Sequence, residues 1–330
     1  MKKLLILPFL FACIFAVQAQ RSYTLTSPNG HLATAITAGE TLTYDIVRDG
    51  KTLMMPSPIS LILSDGRKWG PAAHIQKALR ATVDETVSAP FYRASEIRDR
   101  YNALTLRMRG GWSVEFRVYD DGVAYRFATT SKEPFEIMNE QAEYRFSEER
   151  PVTVPYVRDH AGNIDLQWRN SFENTYTETT LSRLDAGRLI FLPAIVHVAD
   201  GVNICFTETD LNDYPGMYLW NGDGGQHLTA RFAPYPKRVE QGGYNNLQMI
   251  VEEREPFIAR IGKARSFPWR VAIVGTDTQI AASDLSFLLA APSKLADTSW
   301  IKPGKVAWDW WNAWNISGVD FRAGINTETY

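Results

Sequence analysis

Cysteine is almost missing: the 330 residues hold two, Cys13 and Cys205. Cys13 lies in an apolar N-terminal run, so a chain that has lost that run can form no intrachain disulfide. Cys205, within Val202-Asn203-Ile204-Cys205-Phe206, reads as a buried, inert thiol rather than a nucleophile. Histidine is also sparse, with five residues at 31, 74, 160, 197 and 227 and no metal-ligand spacing. No HExxH, CxxC, GxSxG, P-loop or dinucleotide fingerprint is present, so zinc, serine-hydrolase and nucleotide chemistry have no footing. Basic runs are missing and the formal net charge is −2, which argues against nucleic acid and anionic membrane surfaces as partners. The longest apolar run, Leu4 to Val17, is too short to span a bilayer comfortably.

That run has another use. Met1-Lys2-Lys3, the apolar stretch and the small residue in Val17-Gln18-Ala19 compose a secretory leader, with cleavage expected after Ala19. A periplasmic or secreted protein follows. From Arg21 onward the apolar period is two. Leu42, Tyr44 and Ile46 alternate with Thr43, Asp45 and Val47, and Ile59, Leu61 and Leu63 repeat the pattern. Leu104-Leu106-Met108, Val114-Phe116-Val118 and Val123-Tyr125-Phe127 do so again. Asn29-Gly30, Asp49-Gly50, Asp65-Gly66 and Asp121-Gly122 punctuate these runs as hairpin turns. Many short strands with turns between them predict an all-β fold, a large antiparallel β-sandwich over residues 20–289. Ile280, Leu285, Leu288 and Leu289 predict one short helix over 278–289, and residues 290–303, with Pro292 and Pro303, read as a linker. A new strand then starts near Val306. With so little sequence after it, the expectation is a chain cut short at the opening of a second domain, residues 304–330.

Two stretches carry candidate chemistry. Four of the ten tryptophans fall at 308, 310, 311 and 314, interleaved with Asp309, Asn312 and Asn315. Flat aromatic faces beside a carboxylate and amides suit a sugar ring, with apolar C–H faces and hydroxyls at its edge; a tryptophan plug at a domain seam uses the same residues. Thr207-Glu208-Thr209-Asp210-Leu211-Asn212-Asp213-Tyr214 gathers hard oxygen ligands behind the apolar strand Val202 to Phe206. Such a cluster holds calcium or is a solvated acidic turn. Ser171 to Glu178 is a weaker cluster of the same kind. Trp269-Arg270, ahead of the strand Val271 to Val274, reads as packing and a surface ion pair.

The stretch Asp297-Thr298-Ser299-Trp300-Ile301-Lys302-Pro303-Gly304-Lys305-Val306-Ala307-Trp308-Asp309-Trp310-Trp311-Asn312 resembles the entry to the catalytic barrel of glycoside hydrolase family 97. Phe116 to Phe127, around Tyr119-Asp120-Asp121-Gly122-Val123, and Thr207-Glu208 through Asp213-Tyr214-Pro215-Gly216-Met217-Tyr218-Leu219 are similar to that family's N-terminal domain. The resemblance implies a periplasmic or secreted α-glycosidase acting on α-linked oligosaccharides. Its parts would be a β-super-sandwich, a (β/α)8 barrel and a small C-terminal β domain, with a calcium ion in the active site. It implies Glu208 as the calcium ligand from the sandwich, with Glu173 next in line, and Trp308, Asp309, Trp311 and Asn312 as substrate-binding residues. The Trp308-Asp309-Trp310-Trp311-Asn312 form is closer to the family's retaining α-galactosidases than to its inverting α-glucosidases. The family's catalytic carboxylates sit on later barrel strands with no counterpart here, so the 330-residue chain alone is expected to be inactive. From another class, a carbohydrate-binding sandwich without chemistry fits a chain complete at Tyr330.

Overall fold

The structure, a computed structural model, describes residues 20–89, 91–168, 174–199, 201–306, 316–324 and 326–329. Residues up to 87 together with 97–290 form one compact unit; 88–96 together with 291–330 form a second. The first unit is built from two large sheets whose described pairings are antiparallel. One runs Arg21–Thr26, Leu32–Ala38, Leu42–Arg48, Lys51–Leu63, Phe135–Arg145, His227–Phe232, Met217–Trp220. The other runs Thr177–Thr180, Pro151–Val154, Ala194–Ala199, Val202–Thr209, Trp269–Gly275, Gly122–Thr129, Trp112–Tyr119, Glu96–Met108, Ile75–Ser88. The all-β sandwich is therefore what the chain forms.

Period-two patterning explains which side of each strand is dry. Leu42, Tyr44 and Ile46 are buried between the sheets while Thr43, Asp45 and Val47 stay half-exposed. Leu104, Leu106, Val114, Phe116, Tyr125 and Phe127 join the same core from the opposite sheet. Strand Trp269–Gly275 is buried at all seven positions, because a second apolar cluster covers the outer face of its sheet. Trp269, Val271, Ile273, Tyr101, Tyr119 and Leu285 belong to that cluster.

Two local expectations are corrected. The single helix over 278–289 is two, Asp277–Ala282 and Leu285–Leu288, because Ser283 turns extended at ψ 138°. Its hydroxyl donates to Asp121 Oδ2 at 2.7 Å, and the bend drops Leu285 onto the sheet. The turn expected at Asp121-Gly122 is Asp120-Asp121, with Gly122 already paired to Tyr119 in the ladder. Gly122 stands there for space: a Cβ would lie 2.4 Å from Leu285 Cδ1 and 2.7 Å from the Ala272 carbonyl oxygen. The strand expected to start near Val306 runs into residues outside the described ones; Val306 itself is 86 % exposed. By contrast Asp49-Gly50 turns as expected, with φ of 49° and 78° between the paired Arg48 and Lys51.

Candidate functional site

The residues singled out from sequence separate into those described and those not. Trp308, Asp309, Trp311 and Asn312 lie outside the described residues, as does Glu173. Glu208 is well placed to be judged. It belongs to the strand Val202–Thr209 itself, flanked by Ala194–Ala199 and Trp269–Gly275, and does not follow the strand at a sheet edge. Ile204, Phe206 and Glu208 share one face, and the first two are in the core, so Glu208 points between the sheets.

There it meets Arg270, its register partner on the next strand. Arg270 alternates with Ala272 and Val274 on the same inward face, and its side chain is 1 % exposed. Its guanidinium reaches across to Glu140 on the facing sheet, Nε to Oε1 at 2.7 Å and Nη2 to Oε2 at 2.8 Å. Nη1 donates to Glu208 Oε2, the Tyr214 hydroxyl donates to Glu140 Oε2 at 2.9 Å, and the Met217 N–H donates to Glu208 Oε1 at 2.9 Å. The expected surface ion pair at Arg270 is thus a buried one that ties the two sheets together. An isolated guanidinium at this depth is untenable; two carboxylates and the flanking rings of Tyr214 and Phe232 make it tolerable. Burial alone would lower the Arg270 pKa, but Glu140 and Glu208 outweigh it and hold the group well above its ordinary value. Burial dominates at Glu208, pushing its carboxyl up from the ordinary glutamate range against the pull of Arg270.

Glu140 escaped sequence reasoning because its strand changes phase. The register shifts between Ile137 and Asn139, so Ile137, Glu140, Ala142 and Tyr144 all bury although 137 and 140 differ in parity. Arg270 was legible in principle from the alternation Arg270-x-Ala272-x-Val274, with the strand taken to start at Trp269.

Calcium fits Glu208 poorly. Both of its oxygens already accept from donors, one of them cationic, and a divalent ion would compete with Arg270 for the same carboxylate. The turn after it is held from within and from outside: the Asn212 side chain donates to Asp210 Oδ1 at 2.9 Å, and Arg265 donates to the carbonyl oxygens of Asn212 and of Asp213. Among the described residues no three His, Cys, Asp or Glu side chains converge to hold a metal. Cys205 is a free, buried thiol on the outer face of the sheet, and burial pushes it up to about 11, in keeping with an inert role.

The outer face carries a second polar group. Arg117 and Arg126 lie over the Trp269 ring at 4.8 and 4.3 Å, and both donate to Glu115. A cavity of about 250 Å³ opens beside Arg98, Arg100, Tyr119, Asp121 and Leu285. Arg98 is bound to Asp84 at 2.7 Å, Arg100 lies 3.6 Å from Asp120, and Asp121 accepts from Ser283. These arrangements suit a rigid scaffold; none sets a nucleophile against a base.

Comparison with known proteins gives the frame. The profile of the glycosyl-hydrolase 97 N-terminal domain matches residues 25–292. A retaining alpha-galactosidase of Bacteroides thetaiotaomicron is 52 % identical over 332 residues, covering all of this chain and 50 % of that protein. A probable retaining alpha-galactosidase of Streptomyces bingchenggensis is 25 % identical over 291 residues, 86 % of this chain and 40 % of its own. Among solved structures, a glycoside hydrolase family 97 enzyme from Pseudoalteromonas sp. strain K8 in complex with acarbose superposes with a TM-score of 0.68 at 23 % identity. That match covers 86 % of this chain and 40 % of the other, and at this identity it shows the fold. The chain spans half the length of the Bacteroides relative and less of the others. On the profile match and the identity shared along its whole length, the chain belongs to glycoside hydrolase family 97, whose N-terminal domain it contains.

Proposed function

We propose that the chain is the N-terminal part of a longer, secreted or periplasmic α-galactosidase of the retaining kind. The observation that carries this is the 52 % identity to a retaining alpha-galactosidase across the whole chain. In this reading residues 20–289 are the sandwich, 290–303 a linker and 304–330 the start of a (β/α)8 catalytic barrel. Trp308, Asp309, Trp311 and Asn312 would then contact the galactosyl unit of an α-linked oligosaccharide. In this reading the nucleophile and the acid/base lie beyond residue 330. Calcium dependence rests on the family resemblance alone, and Glu208 is not assigned to the ion, since its oxygens are held by Arg270 and the Met217 amide. The sandwich contributes stiffness: Arg270 joins both sheets beneath the acidic turn.

The test is hydrolysis of p-nitrophenyl α-galactoside by the 330-residue chain and by the product of the reading frame continued past Tyr330. The short chain should be inactive, since a barrel needs eight strand–helix units, and the long one active, with the anomeric configuration retained. Turnover by the short chain, inversion, or a preference for the α-glucoside would overturn the reading.

A further inference from the structure

One element of the first unit stands apart from both sheets. Strands Pro236–Gly242 and Gln248–Arg254 pair only with each other among the described residues. A two-stranded hairpin is marginal in water unless it packs on something, and this one buries almost nothing: every residue of the first strand up to Gln241 is exposed. Its polarity is divided along its length. The base is charged and neutralises itself: Arg238 bonds Glu253 at 3.0 Å and also meets Glu240, and Lys237 reaches Glu253 at 3.1 Å. The tip is apolar and open, with Tyr244 and Leu247 each 81 % exposed and Met249 67 %. Gly243, Asn245 and Asn246 hold positive φ and fold the tip into a fixed turn. Solvent does not reward such a cluster.

We infer that this tip is a docking knob for the polypeptide that follows residue 330 in the longer enzyme, seating in an apolar recess of that part. The inference rests on the functional reading above. Two observations select this occupant over a second copy. A stable interface between separate proteins takes roughly 20–30 residues a side, and the tip offers three large apolar side chains. A patch that small suffices only where a covalent connection supplies a high effective concentration. The relative that shares 52 % identity is also twice as long as the region matched, and on the functional reading above its second half is the body that the tip meets. The self-paired charges of the base, finally, leave no net call for a polyanionic or polycationic partner.

Hydrogen exchange over residues 236–254 tests it, compared between the 330-residue chain and the longer gene product, with α-galactosidase activity measured on the latter. The expected result is exchange at least tenfold slower in the longer chain. Leu247→Asp with Met249→Asp should abolish that protection and leave the unfolding midpoint of the short chain unchanged, since both residues are exposed there. Equal exchange in an active longer enzyme overturns the inference and spares the functional reading. Protection in the short chain that grows with protein concentration assigns the tip to a second copy and also overturns it. An inactive longer chain with a protected tip would leave docking standing and sink the functional reading instead.

Discussion

Trp269 and Arg270 are neighbours in sequence that face opposite sides of one strand, and each meets the other's usual surroundings. Arg270 projects into the sandwich interior, over the rings of Tyr214 and Phe232, with Glu140 and Glu208 as counter-charges. Trp269 projects outward and is fully buried beneath Arg117 and Arg126, which share Glu115. Both faces use arginine, aromatic ring and glutamate. Their difference is water. The outer Arg117, Arg126 and Glu115 side chains retain 16, 19 and 20 % of their exposure, against 1 and 3 % for the inner Arg270 and Glu140. An inner pair must be complete to be tolerated, whereas an outer one can lose a member and be rehydrated.

The largest expected effect of breaking that symmetry is at Arg270. Arg270→Met keeps most of the volume but strands two carboxylates between the sheets, and should cost about 3–5 kcal/mol, the range for a broken buried pair. The urea midpoint of the short chain measures it. Removing the counter-charges as well, with Glu140→Gln and Glu208→Gln, should recover much of the loss. A single Arg270→Met within about 0.5 kcal/mol of wild type, the range of ordinary surface changes, would mean the network is not buried as described.

Next comes Glu208, which sharpens the comparison because it sits at the wetter end of the inner group, 14 % exposed. Its folded pKa is raised by burial. A group raised in the folded state favours folding most when protonated, and that contribution is lost as the pH rises from the ordinary glutamate value through the raised one. Glu208→Gln does not titrate, so it should gain on wild type across that window and lie within about 1 kcal/mol of it at neutral pH. Unfolding midpoints of both proteins at several pH values decide the matter. A variant that falls further behind as pH rises would show that Arg270, and not burial, controls the carboxyl.

Much of the fold could be read from the chain because the sandwich is built on the simplest pattern available. Leu42-Tyr44-Ile46 and Val114-Phe116-Val118 sit on the inner face that their period assigns. What failed did so where one residue breaks the period. Glu140 turns inward only because a register shift follows Ile137, and a shift of that kind leaves no mark in composition. Ser283 divides the C-terminal helix through a hydrogen bond to Asp121, 162 positions away. At Glu208 the alternation with Ile204 and Phe206 was present, yet the acidic turn that follows drew the residue into the wrong group. Family likeness supplied what spacing could not, namely the class of chemistry; the tryptophan-rich stretch on which the sugar reading leans lies outside the described residues.

The smallest effect is expected on the outer face. Glu115 accepts from Arg117 Nε at 2.9 Å and from Arg126 at 2.9 and 3.0 Å, so Glu115→Gln removes the charge that holds two arginines over Trp269. Each guanidinium keeps partial access to water, and the ring beneath continues to attract both. The cost should therefore be about 0.5–1 kcal/mol, in the range of partly exposed ion pairs. Salt separates the two faces more clearly than magnitude does. Raising ionic strength from about 0.01 to 1 M shortens the screening length from roughly 30 to 3 Å, which should shrink the Glu115→Gln penalty to near zero. The Arg270→Met penalty, set by desolvation that ions cannot reach, should hold across the same range. If the Glu115 penalty proves equally indifferent to salt, water does not reach the outer group, and the contrast between the two faces of this strand is false.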